Sequence, residues 1–481
     1  MSLQEGTFRV SRIRVRRGGR KRVRFGAPDG TVTGSAGLVA VSELANRLGL
    51  VTTLDRRIGP IKQRARGLSG GELLVGLATA QLLGEDAWVG LDRCRADRAG
   101  AALAPVPWAP SRTAATLAGR FGPAQLAGIE AAVGELTARW LRLLPAQRRA
   151  DLVLSPPVID MDSTDVEVYG RQKEGVAYNY QGQRCGRPHL ASWAQAGITL
   201  AADLLSGNDD ARPRSADLLR RALAGLPAQV TGRPRVRADA GYFDGGLARA
   251  AVDADADFAI AAKRNPAMWR AYHGIPAAAW RPARDMHNTE VAASDYAPAG
   301  WPPGSYTIVR RVRIPAEEVS ADVRSRRRRT IPQEQLALAL DGRLDMVDAV
   351  SFIVTNLPAD DDGGDLTAIE AWFRRRVDIE ERIREAKLGA ALRRLPSADV
   401  GLNTVWMWAA LLAGLISVTL QSLARLDTAT GRARAARLRF QLLRVPGRVI
   451  RHARGLTLRL PPGRQLLAEV LPRLRALPLP A

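Results

Sequence analysis

Three periodicities succeed one another along the chain, and each predicts a different kind of element. From Gly37 to about Leu144 the segments VSELANRLGLVTTLDRRI, GELLVGLATAQLLG and PAQLAGIEAAVGELTARWLRLL set Leu, Val and Ile at steps of three and four, the spacing of amphipathic helices. Ser42 before Glu43, and Pro110-Ser111 before Arg112, have the residue types of helix starts. Gly49 can turn one short helix into another between Val41 and Ile58, which is compatible with a helix-turn-helix, although short amphipathic helices are far commoner than DNA readers. Near Leu152 the period changes to two. Short apolar runs at Pro157 to Asp162, His189 to Leu205, Arg235 to Ala240 and Phe258 to Ala262 predict strands, and RSADLLRRALAGL between the second and third predicts a helix. That order is mixed α/β.

From about Pro266 to Asp365 the chain holds Pro, Gly and Trp, then strand-like YTIVRRVRI and VSFIVTNLP around an Arg run at Arg326 to Arg329. This predicts a β-rich insertion, closed by the acidic, Gly-rich DDDGGD from Asp360 to Asp365. A long helix is expected from Leu366 to about Leu392. The stretch from Val400 to Ala424 carries no charge, but Asn403, Thr404, Ser417, Thr419, Gln421 and Ser422 interrupt its apolar character, so a buried core helix is expected rather than a membrane span. The expected divisions are an arm at 1–35, a helical region at 36–148, an α/β core at 149–265 resumed at 366–425, the insertion at 266–365, and a basic segment at 426–481.

Composition narrows the partners. A chain of 481 residues is long enough for roughly two to four units. Its net charge of +23 and pI near 11.2 point to a polyanion, with nucleic acid first. Lysine occurs only five times against 66 arginines, so a GC-rich coding sequence accounts for part of the excess. The arm RVSRIRVRRGGRKRVRF has no apolar stretch after its charges and so does not read as a secretory signal. Its Arg20, Lys21 and Arg22 suit phosphates or a minor groove as well as they suit a solvated tail. Two cysteines, Cys94 and Cys185, cannot make a disulfide framework, and a reducing cytoplasm is the expected setting. No G-x4-G-K-[ST] loop is present, so no use of ATP is expected.

The chemistry gathers around carboxylates. In VIDMDST the alternation of side chains puts Asp160 and Asp162 on one face of a strand, and RVRADAGYF ends a second strand with Asp239. Carboxylates at strand ends can converge at one sheet edge, where paired hard oxygens suit Mg²⁺ or Mn²⁺. In the helix that follows the insertion, Phe373, Arg376, Glu380 and Lys387 stand three, four and seven residues apart and share one stripe. A surface helix with an Arg376–Glu380 pair, worth a few tenths of a kcal/mol, has the same spacing. The four histidines show no ligand spacing, and Cys185 with His189 makes at most half a zinc site. Asp253, Asp255 and Asp257 lack the Gly and Glu of a calcium loop and are expected to form a turn.

The order IDMDST, a Gly/Asn turn from Ser206 to Asp210, RADAGYF, a long insertion, then F-x2-R-x3-E-x6-K resembles the DDE transposases of bacterial insertion sequences, in the branch with a Y-R-E-K signature. The resemblance spans about residues 150 to 425. It implies an RNase-H-like mixed sheet with a β-rich insertion and a helical N-terminal domain, and a two-metal site in which Asp162, Asp239 and Glu380 are the catalytic triad and hold Mg²⁺, or Mn²⁺. It implies too that Arg376 and Lys387 hold DNA phosphate, that double-stranded DNA at terminal inverted repeats and target sites is the partner, and that a homodimer works on paired ends. The chain departs at Phe373, where the family usually has Tyr, so a hydroxyl contact there is lost while stacking is kept. Trp269, Trp280 and Trp301 of the insertion are candidates for stacking on a displaced base; packing inside the insertion is the alternative. A structure-specific nuclease on the same core, or a domesticated DNA-binding protein without activity, are the rival readings.

Overall fold

The computed structural model describes residues 25–62, 66–320, 322, 325, 327–359, 365–427 and 432–480, so that Arg20, Lys21 and Arg22 of the basic arm lie outside it. The period-two runs form strands β1 (Val158–Ser163), β2 (Arg184–Trp193), β3 (Ile198–Ser206), β4 (Arg235–Ala238) and β5 (Asp257–Ala261). They lie side by side in the order β3-β2-β1-β4-β5, the first three antiparallel and the last two parallel to β1, which is the RNase-H-like arrangement. The run from His189 to Leu205 becomes two strands because the chain reverses at Gly197, whose φ of 69° is open to glycine at no steric cost.

Helices α1 (Leu38–Leu48), α2 (Leu50–Ile58), α3 (Gly70–Leu82) and α4 (Pro123–Leu143) build the N-terminal region. Gly49, at φ 64°, makes the turn between α1 and α2; α1 starts at Leu38, ahead of Ser42, and Gly37 stands at its N-terminus. Helix α5 (Arg212–Ala224) carries the chain from β3 to β4, and α6 (Gly245–Asp253) from β4 to its parallel neighbour β5, the long connection that parallel strands require.

The strands of the insertion do not form a separate layer. β6 (Thr289–Ser294), β7 (Tyr306–Pro315) and β8 (Met346–Thr355) continue the core sheet, because β8 lays Ile353, Val354 and Thr355 antiparallel against Ala261, Ile260 and Ala259. β7 and β6 follow outward, and with short pieces at its ends the sheet reaches eleven strands among the described residues. The extension pairs the backbone groups that β5 would leave open at an edge.

The helix expected to run unbroken from Leu366 to about Leu392 is interrupted. It is α7 (Leu366–Arg374), then α8 (Val377–Arg384), then a π turn over Glu385–Gly389. At the break, backbone N–H groups bond three residues back, Arg376 to Phe373, Asp378 to Arg375 and Ile379 to Arg376. The Trp372 carbonyl, left without Arg376 as its partner, instead accepts from the Arg237 guanidinium at 2.6 Å. A cation at the carbonyl end of a helix also meets the negative end of its dipole. The same guanidinium lies 5.1 Å from the centre of the Trp372 ring.

Helix α9 (Val400–Leu423) is the uncharged segment, and it is buried along almost its whole length. By length and composition it could cross a membrane, yet 72% of its apolar window is covered by protein. It packs against α3 and α4, and its polar groups find partners on both: Gln81 of α3 donates to the Trp406 carbonyl at 3.2 Å and Trp140 of α4 donates to Ser422 at 2.8 Å. One apolar core therefore runs from Leu44 and Leu74 through Trp140 and α9 to Ile159 and Trp193 of the sheet. The C-terminal segment folds back as a hairpin, Gly447–His452 with Gly455–Arg459, on which Val32–Thr33 adds a third strand.

At the centre of the sheet Asp160 of β1 and Arg237 of β4 face each other in register and form two hydrogen bonds, at 2.6 and 2.8 Å, with both side chains almost wholly buried. Removing one partner of such a pair strands a charge, at a cost of about 3–5 kcal/mol. Asp160→Ala and Arg237→Ala should each shift the denaturant midpoint far down, whereas the double change Asp160→Leu/Arg237→Met should recover much of the loss; equal damage in single and double variants would contradict this account.

Candidate active site

β1 and β4 are parallel neighbours, so their ends point the same way and bring Asp162 and Asp239 to one edge of the sheet. Asp162 is buried and Asp239 half-buried, the latter with one carboxylate oxygen accepting from the Gly241 N–H at 2.9 Å. Burial raises the Asp162 pKa to about 6; Arg376 opposes the rise and the nearby negative charge of Asp239 adds to it. Arg376 sits at the break between α7 and α8 and donates to Asp162 at 3.1 Å. The i,i+4 pair of Arg376 with Glu380 does not form among the described residues, because the guanidinium is turned to the sheet.

Lys387, in the π turn, donates to the Thr164 hydroxyl and to the Asp165 carbonyl, both at 2.8 Å, and its burial lowers its pKa from the usual lysine value. Arg376 and Lys387 therefore both end at the segment that carries Asp162. Glu380 stands between them in sequence on α8, which packs against β1; it is exposed and has no hydrogen bond or ion pair among the described residues. Its neighbour Glu381 pairs instead with Arg384 and, at 3.6 Å, with Arg434. Among the described residues no group of three His, Cys, Asp or Glu side chains stands close enough to hold a metal ion. The arrangement is a carboxylate pair with two cations at the segment that carries Asp162; Glu380 is not gathered with them.

Asp160, the other acidic residue on the Asp162 face, is committed to Arg237 and is not open to a ligand. Phe373 packs with Ile308, Ile353 and Leu366 under the extended sheet, apart from the stripe that the spacing suggested. Trp301 is tilted against Phe243 and Phe258, Trp269 stands edge-on to Phe352 and Tyr272, and Trp280 lies under Arg311 at 4.0 Å; all three are half-buried.

Two residues without a sequence signal hold the site together. Tyr242, three positions after Asp239, is fully buried and shares a hydrogen bond of 3.0 Å with Nδ1 of His189. His189 lies on β2 directly opposite Ser163, the residue after Asp162. The bond thus ties the turn of one carboxylate to the strand beside the other. Only the Tyr of RADAGYF hinted at it, and nothing in the sequence paired that Tyr with His189.

A mixed sheet of this order, with carboxylates at the ends of neighbouring parallel strands and cations brought in from a later helix, is the setting in which the comparisons place a DDE polynucleotidyl transferase. The sequence matches the family described as Transposase DDE domain group 1 over residues 15–479, and the chain belongs to that family. No curated protein matches it. Among solved structures, a cryo-EM structure of a piggyBac transposase synaptic complex with hairpin DNA is similar with a TM-score of 0.38 and 8% identity, over 85% of this chain and 80% of that one.

The tyrosine–histidine bond carries a pH signature. Burial first, and then the Arg187 charge, lower the His189 pKa to about 4 from its ordinary 6.5. A group with a depressed cationic pKa contributes stability above pH 6.5 that is lost as pH falls toward 4, here on the order of 3 kcal/mol. The melting temperature of the wild type should fall through that window more steeply than that of His189→Gln; parallel curves would remove His189 from the account.

Proposed function

We propose that this transposase cleaves and joins DNA at the terminal inverted repeats of its own element by in-line displacement at phosphorus, with Asp162, Asp239 and Glu380 as its catalytic carboxylates. The observation that supports it most is the Asp162–Asp239 pair: a buried carboxylate made costly by a second one beside it, with Arg376 as the counter-charge. Such a pair fits a divalent cation, because a hard cation offsets the charge that burial and repulsion oppose. Two Mg²⁺ ions, or Mn²⁺, held by Asp162, Asp239 and Glu380 would activate the attacking oxygen and stabilise the leaving one. Glu380 is assigned to this task by its place in F-x2-R-x3-E-x6-K, between Arg376 and Lys387, while Glu381 is engaged by Arg384 and Arg434.

The protein's own groups act by position. Arg376 and Lys387 give a phosphate two cations at the end of β1, Tyr242 and His189 keep the two carboxylate turns at a fixed separation, and Arg237 fixes the end of α7. The net charge of +23 supports double-stranded DNA as partner, with affinity that falls steeply with salt. A homodimer on paired ends, in a bacterial cytoplasm, completes the reading.

Asp162→Ala and Asp239→Ala should abolish metal-dependent cleavage of an end-containing duplex and leave gel-shift affinity within about threefold of wild type. Cleavage near the wild-type rate in either would take that residue out of the site. A product assay separates rival activities, since cleavage without strand transfer marks a nuclease and binding without nicking marks an inactive DNA-binding protein.

The adjacent glutamates give a sharper comparison, since they stand about 100° apart around the helix axis. Glu380→Gln should eliminate cleavage with binding kept, and Glu381→Gln should cost little. Arg376→Ala and Lys387→Ala should weaken the complex and flatten its salt dependence. An active Glu380→Gln protein beside a dead Glu381→Gln protein would overturn the assignment.

A further inference from the structure

Immediately beyond Asp162 the chain makes an excursion, residues 164 to 183, before it returns as β2. Its short strands Val166–Glu167 and Ala177–Tyr178 flank the start of β2 on its two sides, meeting it at Cys185–Gly186 and at Arg184–Cys185. The excursion is firmly held. Asn179, buried, accepts from the Gln181 and Gln183 N–H groups, each at 2.9 Å, and donates to Asp165 at 2.7 Å. Lys173 donates to the carbonyls of Leu395 and Ser397, and the Glu174 N–H to that of Ala398 at 2.8 Å. Yet this fixed framework presents Tyr169, Tyr178 and Tyr180 to solvent at 85%, 67% and 78% exposure.

Rigid, exposed aromatic rings are unusual on a surface that has no use for them. Tyr169 lines a groove of about 770 Å³, which runs from Lys387 beside the catalytic strand and carries in its wall Lys173, Arg393 and Arg394 against the carboxylates of Asp86, Asp165 and Glu167; Tyr178 and Tyr180 stand outside it. Two of the chain's five lysines are in that wall. Arg393 and Arg394 share a single carboxylate, Asp86, at 2.7 and 3.1 Å, which leaves their combined charge half neutralised.

We propose that this groove is the path of one DNA strand on its way from the active site, with its phosphates along Lys387, Arg393 and Arg394 and an unpaired base stacked on Tyr169. Tyr178 and Tyr180 belong to the other side of the start of β2 and lie outside the groove. The inference rests on the transposase reading. Charge complementarity favours nucleic acid, and the ring makes the contact tolerant of sequence, because every base has a face to stack. The occupant is a single strand rather than a duplex, because stacking on Tyr169 needs a base free of its pair.

The test uses the full chain and two fluorescent probes of equal length, an oligothymidine carrying one 2-aminopurine and an unrelated duplex. Tyr169→Ala should bind the single strand about tenfold more weakly and lose the 2-aminopurine quenching, while duplex binding stays within about threefold. Tyr169→Phe should keep both, since the ring stacks and the hydroxyl only serves Glu167. Tyr178→Ala/Tyr180→Ala, outside the groove, should keep single-strand binding within about threefold of wild type. Wild-type single-strand affinity and quenching in Tyr169→Ala would overturn the proposal and leave the transposase reading intact. Equal defects in the Ala and Phe variants would overturn it as well, and a wild-type protein that binds neither probe would overturn both readings.

Discussion

The buried ion pair between Asp160 and Arg237 sets the geometry on which the site depends. It spans the parallel neighbours β1 and β4, and the third donor of the same guanidinium reaches the Trp372 carbonyl at the end of α7. A charge pair this deep contributes little net stability, because desolvation offsets most of the attraction. Its value is specificity. Arg237 can satisfy its fork of donors only if β1, β4 and the end of α7 take one mutual arrangement, and any other leaves a buried charge unpaired.

From that arrangement the rest follows in a chain of contacts. Capturing the Trp372 carbonyl ends α7, the tight turn after it aims Arg376 at Asp162, and α8 then starts on β1. The π turn at its far end delivers Lys387 to Thr164 and Asp165. Glu370 adds a second anchor, since it is fully buried and ion-paired to Arg310 of β7 and to Arg374 of its own helix, each at 2.8 Å. The extended sheet and α7 are thus locked to each other. On the other side, Tyr242 and His189 fix the turn of Asp239.

Charge is distributed by the same logic. Asp160 and Asp162 are two residues apart on one strand face, and their environments give them opposite roles: one is satisfied by a buried guanidinium, the other kept costly by burial and by Asp239. A site that binds cations and phosphates needs that second kind of carboxylate. Arg376 meets one oxygen of Asp162 and the Ser163 N–H the other, at 2.8 Å, so that a single guanidinium contact holds it, whereas Arg237 occupies both oxygens of Asp160.

Local patterning determined most of the elements. Period two placed β1, β4 and β5 to within a residue or two, because alternation is a property of the strand itself. The absence of charge from Val400 to Ala424 marked a helix that is enclosed on all sides. Carboxylates at strand ends were visible because each belongs to one element and its period; Arg376, Glu380 and Lys387 were visible only as a spacing, since the helix expected to carry them breaks at Arg376 and becomes a π turn at Lys387. The family match over residues 15–479 bears out the transposase resemblance as a whole. Only tertiary structure decided which of the two acidic residues on β1 is free, since the answer lies in Arg237 of another strand. It decided where the long helix breaks, because the break follows a carbonyl captured from 135 positions away. It also turned Phe373 into core beneath the extended sheet and joined Tyr242 to His189. Each of these depends on a partner distant in sequence, and no period along a single element carries that information.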